Sequence, residues 1–186
     1  MKKIFAICGS IRSNSSNLQL LNAIKELYIN ELDIEIYHSL HEMPHFNPDV
    51  QDDAIPSIID HFRNSIKIAD GVLICTPEYV FSIPGVLKNA IEWTIATTVF
   101  SEKPVALITA SGLGQKAHEA LLLIMKTIYA TYTEDTQLLI SGARTKVSEN
   151  RITDSETLSR IQTLMNSFIN LMNKVYLDLH STKTLQ

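Results

Sequence analysis

Three short stretches carry residues able to hold a charged small molecule, and each follows an apolar run. The first is Gly9-Ser10-Ile11-Arg12-Ser13-Asn14-Ser15-Ser16-Asn17, which opens onto a helical periodicity. A helix start offers free backbone N–H groups and the positive end of a dipole. Ser10, Ser15, Ser16 and Asn17 add hydroxyl and amide donors, and Arg12 adds a planar charged fork. Helix capping accounts for any one of these residues but not for the cluster, which reads as a phosphate cradle. The loop has neither G-x-G-x-x-G nor G-x-x-x-x-G-K-[ST], so dinucleotide and nucleoside-triphosphate readings weaken. A terminal phosphate monoester, a compact dianion, suits it better.

The second stretch is Thr76-Pro77-Glu78-Tyr79-Val80-Phe81-Ser82-Ile83-Pro84-Gly85, in which Ser82 is a candidate N-cap for the following helix. The third is Thr109-Ala110-Ser111-Gly112. A fourth pattern, His41-Glu42-Met43-Pro44-His45, fits the H-E-x-x-H zinc signature. That chemistry needs both imidazoles on one helical face, and Pro44 argues against an uninterrupted helix, so no metal site is expected. His38, His61, His118 and His180 are scattered and read as solvated side chains. Cys8 and Cys75 sit inside apolar runs without C-x-x-C spacing; they read as core thiols of a protein kept in the reducing cytoplasm.

The elements that must position these loops alternate. Residues 3–8, a shorter run around Ile34 and Ile36, 71–75, 105–109 and 136–140 read as strands. Helical periodicity covers 17–29, 57–68, 84–94, 115–130 and 155–178. Five strands alternating with five helices predict a three-layer α/β domain with a parallel sheet over residues 1–186. In such a sheet ligands gather outside the carboxyl ends of the strands, where the strand order reverses. That is where the loops after Cys8, Cys75 and Thr109 end.

Composition narrows the class. The chain has 186 residues, 45% of them hydrophobic, enough for one substantial core. A net charge of −4 without a basic block speaks against nucleic acid and anionic membranes as partners. The apolar run after Met1-Lys2-Lys3 stops at Gly9, short for a signal peptide, and no stretch is long enough to span a bilayer.

Together these stretches resemble the NADPH-dependent FMN reductase family. The resemblance rests on Gly9-Ser10-x-Arg12-x-x-Ser15-x-Asn17-x-x-Leu20, on Pro77-Glu78-Tyr79-x-x-Ser82-Ile83-Pro84-Gly85-x-Leu87-Lys88-Asn89-Ala90-Ile91-Glu92-Trp93, and on Thr109-Ala110-Ser111-Gly112. Met43-Pro44-x-Phe46-Asn47-Pro48-Asp49 and Ile152-Thr153-Asp154 extend it almost end to end. It implies a flavodoxin-like fold with strand order 2-1-3-4-5, and FMN as cofactor with NADPH or NADH as electron donor. It also implies an oxidoreductase acting on a small acceptor such as a quinone, an azo or nitro aromatic, a flavin or a metal oxyanion, and a homodimer or homotetramer. By the resemblance, Ser10, Arg12, Ser15, Ser16 and Asn17 bind the phosphate. Pro77, Glu78, Tyr79 and Val80 border the flavin ring, with Ser111 and Gly112 on the other side. Val80 stands where the family usually has Asn, leaving only backbone contacts there. No catalytic acid or base is required of the protein. A flavodoxin-type electron carrier, or an FMN-binding module without NAD(P)H activity, is the alternative.

Overall fold

The computed structural model describes residues 1–181. Its centre is a five-stranded parallel sheet of β1 (Lys2–Cys8), β2 (Leu32–Tyr37), β3 (Gly71–Thr76), β4 (Val105–Ser111) and β5 (Gln137–Ser141) in the order β2-β1-β3-β4-β5. The expected strand order is therefore found, with its reversal between β1 and β3. A two-stranded antiparallel hairpin, β6 (Val147–Ser148) and β7 (Arg151–Ile152), follows the sheet. Its strands are two residues long, too short for alternation to reveal them.

Alternating side chains along each strand divide the core between the two faces. Ile4, Ala6 and Cys8 of β1 pack with α1 (Ser16–Leu27) and α5 (Ser155–Ser181), through Leu20, Leu21, Ile24, Met165 and Phe168. Phe5 and Ile7 face α2 (Ser57–Ile68), α3 (Gly85–Glu92) and α4 (Gln115–Thr127), through Phe62, Leu87 and Leu121. β3 is buried along its whole length, as a central parallel strand covered on both faces must be. Asp154 caps α5, its carboxylate accepting from the Thr157 N–H at 2.9 Å and hydroxyl at 2.6 Å.

The long segment between β2 and α2 is fastened over α3. Pro44 O accepts from Trp93 Nε1 and Asn89 Nδ2, each at 2.9 Å, and Asn89 Oδ1 accepts from the Phe46 N–H at 2.8 Å. Phe46 meets the Trp93 ring edge-on at 5.3 Å. Trp93 is thus a core residue that pins a loop, with 2% of its surface exposed. No helix among the described residues is long and apolar enough to cross a membrane.

Candidate functional site

At the carboxyl end of the sheet the loops after β1, β3, β4 and β5 enclose a cleft of about 580 Å³, within the range of small-molecule sites. Ser10, Arg12, Ser15, Ser16, Asn17, Pro77, Glu78, Tyr79, Ser111 and Gly112 all line it. The three sequence stretches, well separated along the chain, thus converge on one cavity.

The β1–α1 loop forms one end. Ser15 is the N-cap of α1, its hydroxyl accepting from the Asn17 N–H at 3.2 Å. Arg12 is exposed, and its guanidinium makes no ion pair among the described residues. Asn17 departs from the expected role. Its Nδ2 donates to Ala110 O at 3.0 Å and its Oδ1 accepts from Cys75 Sγ at 3.2 Å, so its amide ties α1 to β3 and β4 instead of facing a phosphate. Gly9 brings the loop against β3: a Cβ there would strike Thr76 Oγ1 and lie 2.7 Å from Thr76 Cβ.

The β3 and β4 loops form the other end and are joined through Glu78. Its N–H donates to Ser111 Oγ at 3.2 Å, and its carboxylate accepts from the Ala117 N–H at 2.9 Å in the first turn of α4. The N-cap of α4 is Gly114, with φ +91°, which offers no capping side chain. Glu78 supplies that cap from another loop, with its charge at the favourable end of the dipole. Glu78→Ala is therefore expected to lower unfolding free energy by about 0.5–2 kcal/mol, the range for a lost helix cap, with Glu78→Gln losing less. Urea titration of the two variants checks this; equal midpoints for wild type and Glu78→Ala would show the contact to be idle.

Val80 does not line the cleft. Val80 and Phe81 hold φ of 51° and 56° at the tip of a two-residue hairpin closed by Tyr79 N–H to Ser82 O at 2.9 Å and Ser82 N–H to Tyr79 O at 3.0 Å. Such a turn points its central side chains outward, and Val80 is 96% exposed. Ser82 accordingly closes the hairpin and does not cap α3, whose N-cap position is Pro84.

The cleft also includes residues that sequence reasoning missed, notably Asn14, Gln19 and the turn Gly142-Ala143-Arg144-Thr145 after β5. The available signal was Gly142 at the end of the fifth strand, on the same sheet edge as the other three loops. Arg144, like Arg12, is exposed without an ion pair among the described residues. The cleft thus carries two uncommitted guanidiniums.

The remaining candidates resolve as follows. Leu40–Glu42 is a single 3₁₀ turn followed by extended Met43, so His41 and His45 share no helical face, and both are exposed. No group of three or more metal-ligating side chains occurs among the described residues. His41→Ala and His45→Ala, alone or combined, are expected to leave metal content unchanged; stoichiometric zinc lost with either side chain would overturn this. His38 and His61 are exposed, but His118 is half-buried, its Nδ1 3.0 Å from Thr109 Oγ1. Burial lowers its pKa, partly offset by a hydrogen bond with Gln137. The side chain of His180 lies outside the described residues. Cys8 and Cys75 are free, buried and in register on β1 and β3, and burial raises both thiol pKa values.

Comparison with known proteins agrees with this geometry. Residues 2–145 match the NADPH-dependent FMN reductase family, a span that holds the whole sheet and nearly every cleft residue. A Lactobacillus johnsonii NADH-dependent flavin reductase subunit 2 is 30% identical over 92% of this chain and 98% of its own length. A potato NAD(P)H:quinone oxidoreductase is 37% identical, with the match covering 59% of each chain. Among solved structures, the flavoenzyme NAD(P)H:(acceptor) oxidoreductase FerB of Paracoccus denitrificans superposes with a TM-score of 0.77 at 26% identity, covering 94% of this chain and 98% of that one. With the family match spanning all five strands and the cleft at their carboxyl ends, the chain belongs to the NADPH-dependent FMN reductase family.

Proposed function

We propose that the cleft holds FMN and that the protein is an NAD(P)H-dependent FMN reductase passing electrons to a small acceptor such as a quinone. The observation that carries this reading is the polarity of the cleft. Its β1–α1 end has a helix N-terminus, Ser10, Ser16 and a free guanidinium, while its other end is bordered by Pro77, the Tyr79 ring and Gly112. A phosphate dianion fits the first, and a flat ring the second. Space beside Gly112 is open, since a Cβ there would meet nothing within 4 Å.

When bound, FMN supplies hydride acceptance from the nicotinamide and onward transfer to the acceptor. The chain's own contribution is position and polarity. Ser10, Ser16, Arg12 and the α1 dipole hold the phosphate and so fix the ring's depth in the cleft. Pro77 stiffens the backbone that borders the ring, and the Glu78 links to Ser111 and α4 hold the two ring-side loops at one spacing. No side-chain acid or base is assigned a proton-transfer role.

The phosphate reading has a direct comparison. Riboflavin, which lacks the phosphate, is expected to bind at least about a hundredfold more weakly than FMN, the sum of two or more charge-assisted hydrogen bonds. Equal affinities in a fluorescence-quenching titration would reject the cradle.

Oligomerisation is part of the same reading. The exposed apolar pair Val80 and Phe81, in a backbone conformation that β-branched and bulky residues rarely adopt, supports a contact with a second copy of the chain. The two unpaired buried thiols support a cytoplasmic setting.

A further inference from the structure

Both ends of the β1–α1 loop are fastened to one buried residue of β3. At its start the Gly9 N–H donates to Cys75 O at 2.8 Å, and at its end the Cys75 thiol donates to Asn17 Oδ1 at 3.2 Å. Residues 9–17, which carry Ser10, Arg12 and Ser16, therefore form a loop closed on Cys75. Asn17 Nδ2 adds a bond to Ala110 O of β4 at 3.0 Å. The segment's other side-chain hydrogen bonds among the described residues are local. Cys8 Sγ donates to Ser10 O and the Arg12 N–H to Ser10 Oγ, each at 3.4 Å, while Ser15 Oγ and Asn14 Oδ1 accept from Asn17 and Gln19. They shape the segment and leave its position over β3 and β4 to Gly9 and Asn17.

The Asn17 amide is fixed in this arrangement. Ala110 O can only accept, so it takes the Nδ2 hydrogens and leaves Oδ1 for the thiol. Asn17 is 2% exposed and Cys75 fully buried, so water does not replace either partner. A buried amide oxygen deprived of its donor costs more than an ordinary hydrogen bond contributes, which makes the loop end depend on the thiol. Asn17 also lies in the first turn of α1, two residues past the N-cap Ser15, so its amide sets the height of that helix end against β3 and β4. Ala110 leads into Ser111, whose Oγ accepts from the Glu78 N–H, and the same tie thereby refers one end of the cleft to the other.

We infer that Asn17 and Cys75 are positioning residues for the flavin phosphate, holding the loop of Ser10, Arg12 and Ser16 in its binding shape before the cofactor arrives. Neither is assigned a direct contact with the phosphate. A loop ordered in advance loses little conformational freedom on binding, whereas a loop released at one end must be ordered at the cost of affinity. The inference rests on the main cleft being the FMN site.

The test compares FMN with riboflavin, by fluorescence-quenching titration, in wild type, Cys75→Ala, Cys75→Ser and Asn17→Ala, beside amide hydrogen exchange over residues 10–16 of the flavin-free proteins. Cys75→Ala is expected to lower FMN affinity about two- to tenfold, the scale of one hydrogen bond, and Asn17→Ala to lower it further. Both should leave riboflavin affinity near wild type and quicken exchange over the loop. Cys75→Ser, which keeps a donor, should retain the wild-type ratio of the two affinities and the wild-type exchange. If Asn17→Ala does not fold, the two Cys75 variants decide. FMN and riboflavin weakened alike would reduce the pair to core packing and overturn the inference, as would an unchanged ratio in Cys75→Ala or a Cys75→Ser variant that behaves like Cys75→Ala. Wild-type protein that binds FMN no more tightly than riboflavin would instead overturn the reading of the phosphate cradle itself.

Discussion

Replacing Arg12 with alanine is expected to weaken FMN binding roughly 10- to 150-fold, equivalent to about 1.5–3 kcal/mol for a hydrogen-bonded charge contact. The fold should be untouched, because the side chain is exposed and makes no ion pair among the described residues. Arg12→Lys retains charge but loses the bidentate fork, so it should fall between the two. Arg144→Ala reports on the second guanidinium that lines the same cleft. Fluorescence-quenching titrations with FMN, beside thermal unfolding of the flavin-free proteins, measure both sides of the statement. An unchanged FMN affinity in Arg12→Ala would place the guanidinium outside the cradle.

A second large effect is expected at Gly9, through backbone geometry instead of charge. Its N–H donates to Cys75 O at 2.8 Å, holding the first loop to β3, and Leu87 Cδ2 would stand 3.1 Å from any added Cβ. Gly9→Ala therefore forces Thr76 or the loop itself to move. Overpacking of this kind costs about 1–3 kcal/mol of unfolding free energy. Flavin affinity should fall with it, since Ser10 is the next residue and Thr76 leads into Pro77. Urea unfolding and FMN titration of Gly9→Ala test the pair of effects. A midpoint and affinity like wild type would show that the loop has room the geometry denies it.

Much of this was legible in the sequence for identifiable reasons. Continuous apolar runs such as Gly71–Cys75 have no solvent face to interrupt them, so buried parallel strands announce themselves, and amphipathic helices do so by period. The three loops were legible because hydroxyl, amide, proline and glycine residues cluster where strands end. What escaped notice depends on tertiary contact. Asn17 reads as a phosphate ligand, yet its partners are a carbonyl 93 positions away and a thiol 58 positions away. Glu78 reads as a flavin neighbour, but its carboxylate caps a helix whose own N-cap is a glycine. Val80 sits beside the site in sequence and outside it in space, because a tight hairpin turns its side chain to solvent. Arg144 carried no local motif, and only closure of the sheet edge brings the fifth loop to the cleft.

The visible spectrum of the purified protein, reconstituted with FMN and freed of excess, tests the central claim most directly when recorded under nitrogen before and after NADH or NADPH is added. The account predicts one flavin per chain, bleaching of the flavin absorption by at least one of the two coenzymes, and recovery of colour on adding a quinone. Protein that stays colourless with FMN would contradict the cleft as a flavin site, and protein that holds FMN but is not bleached by either coenzyme would contradict the reductase.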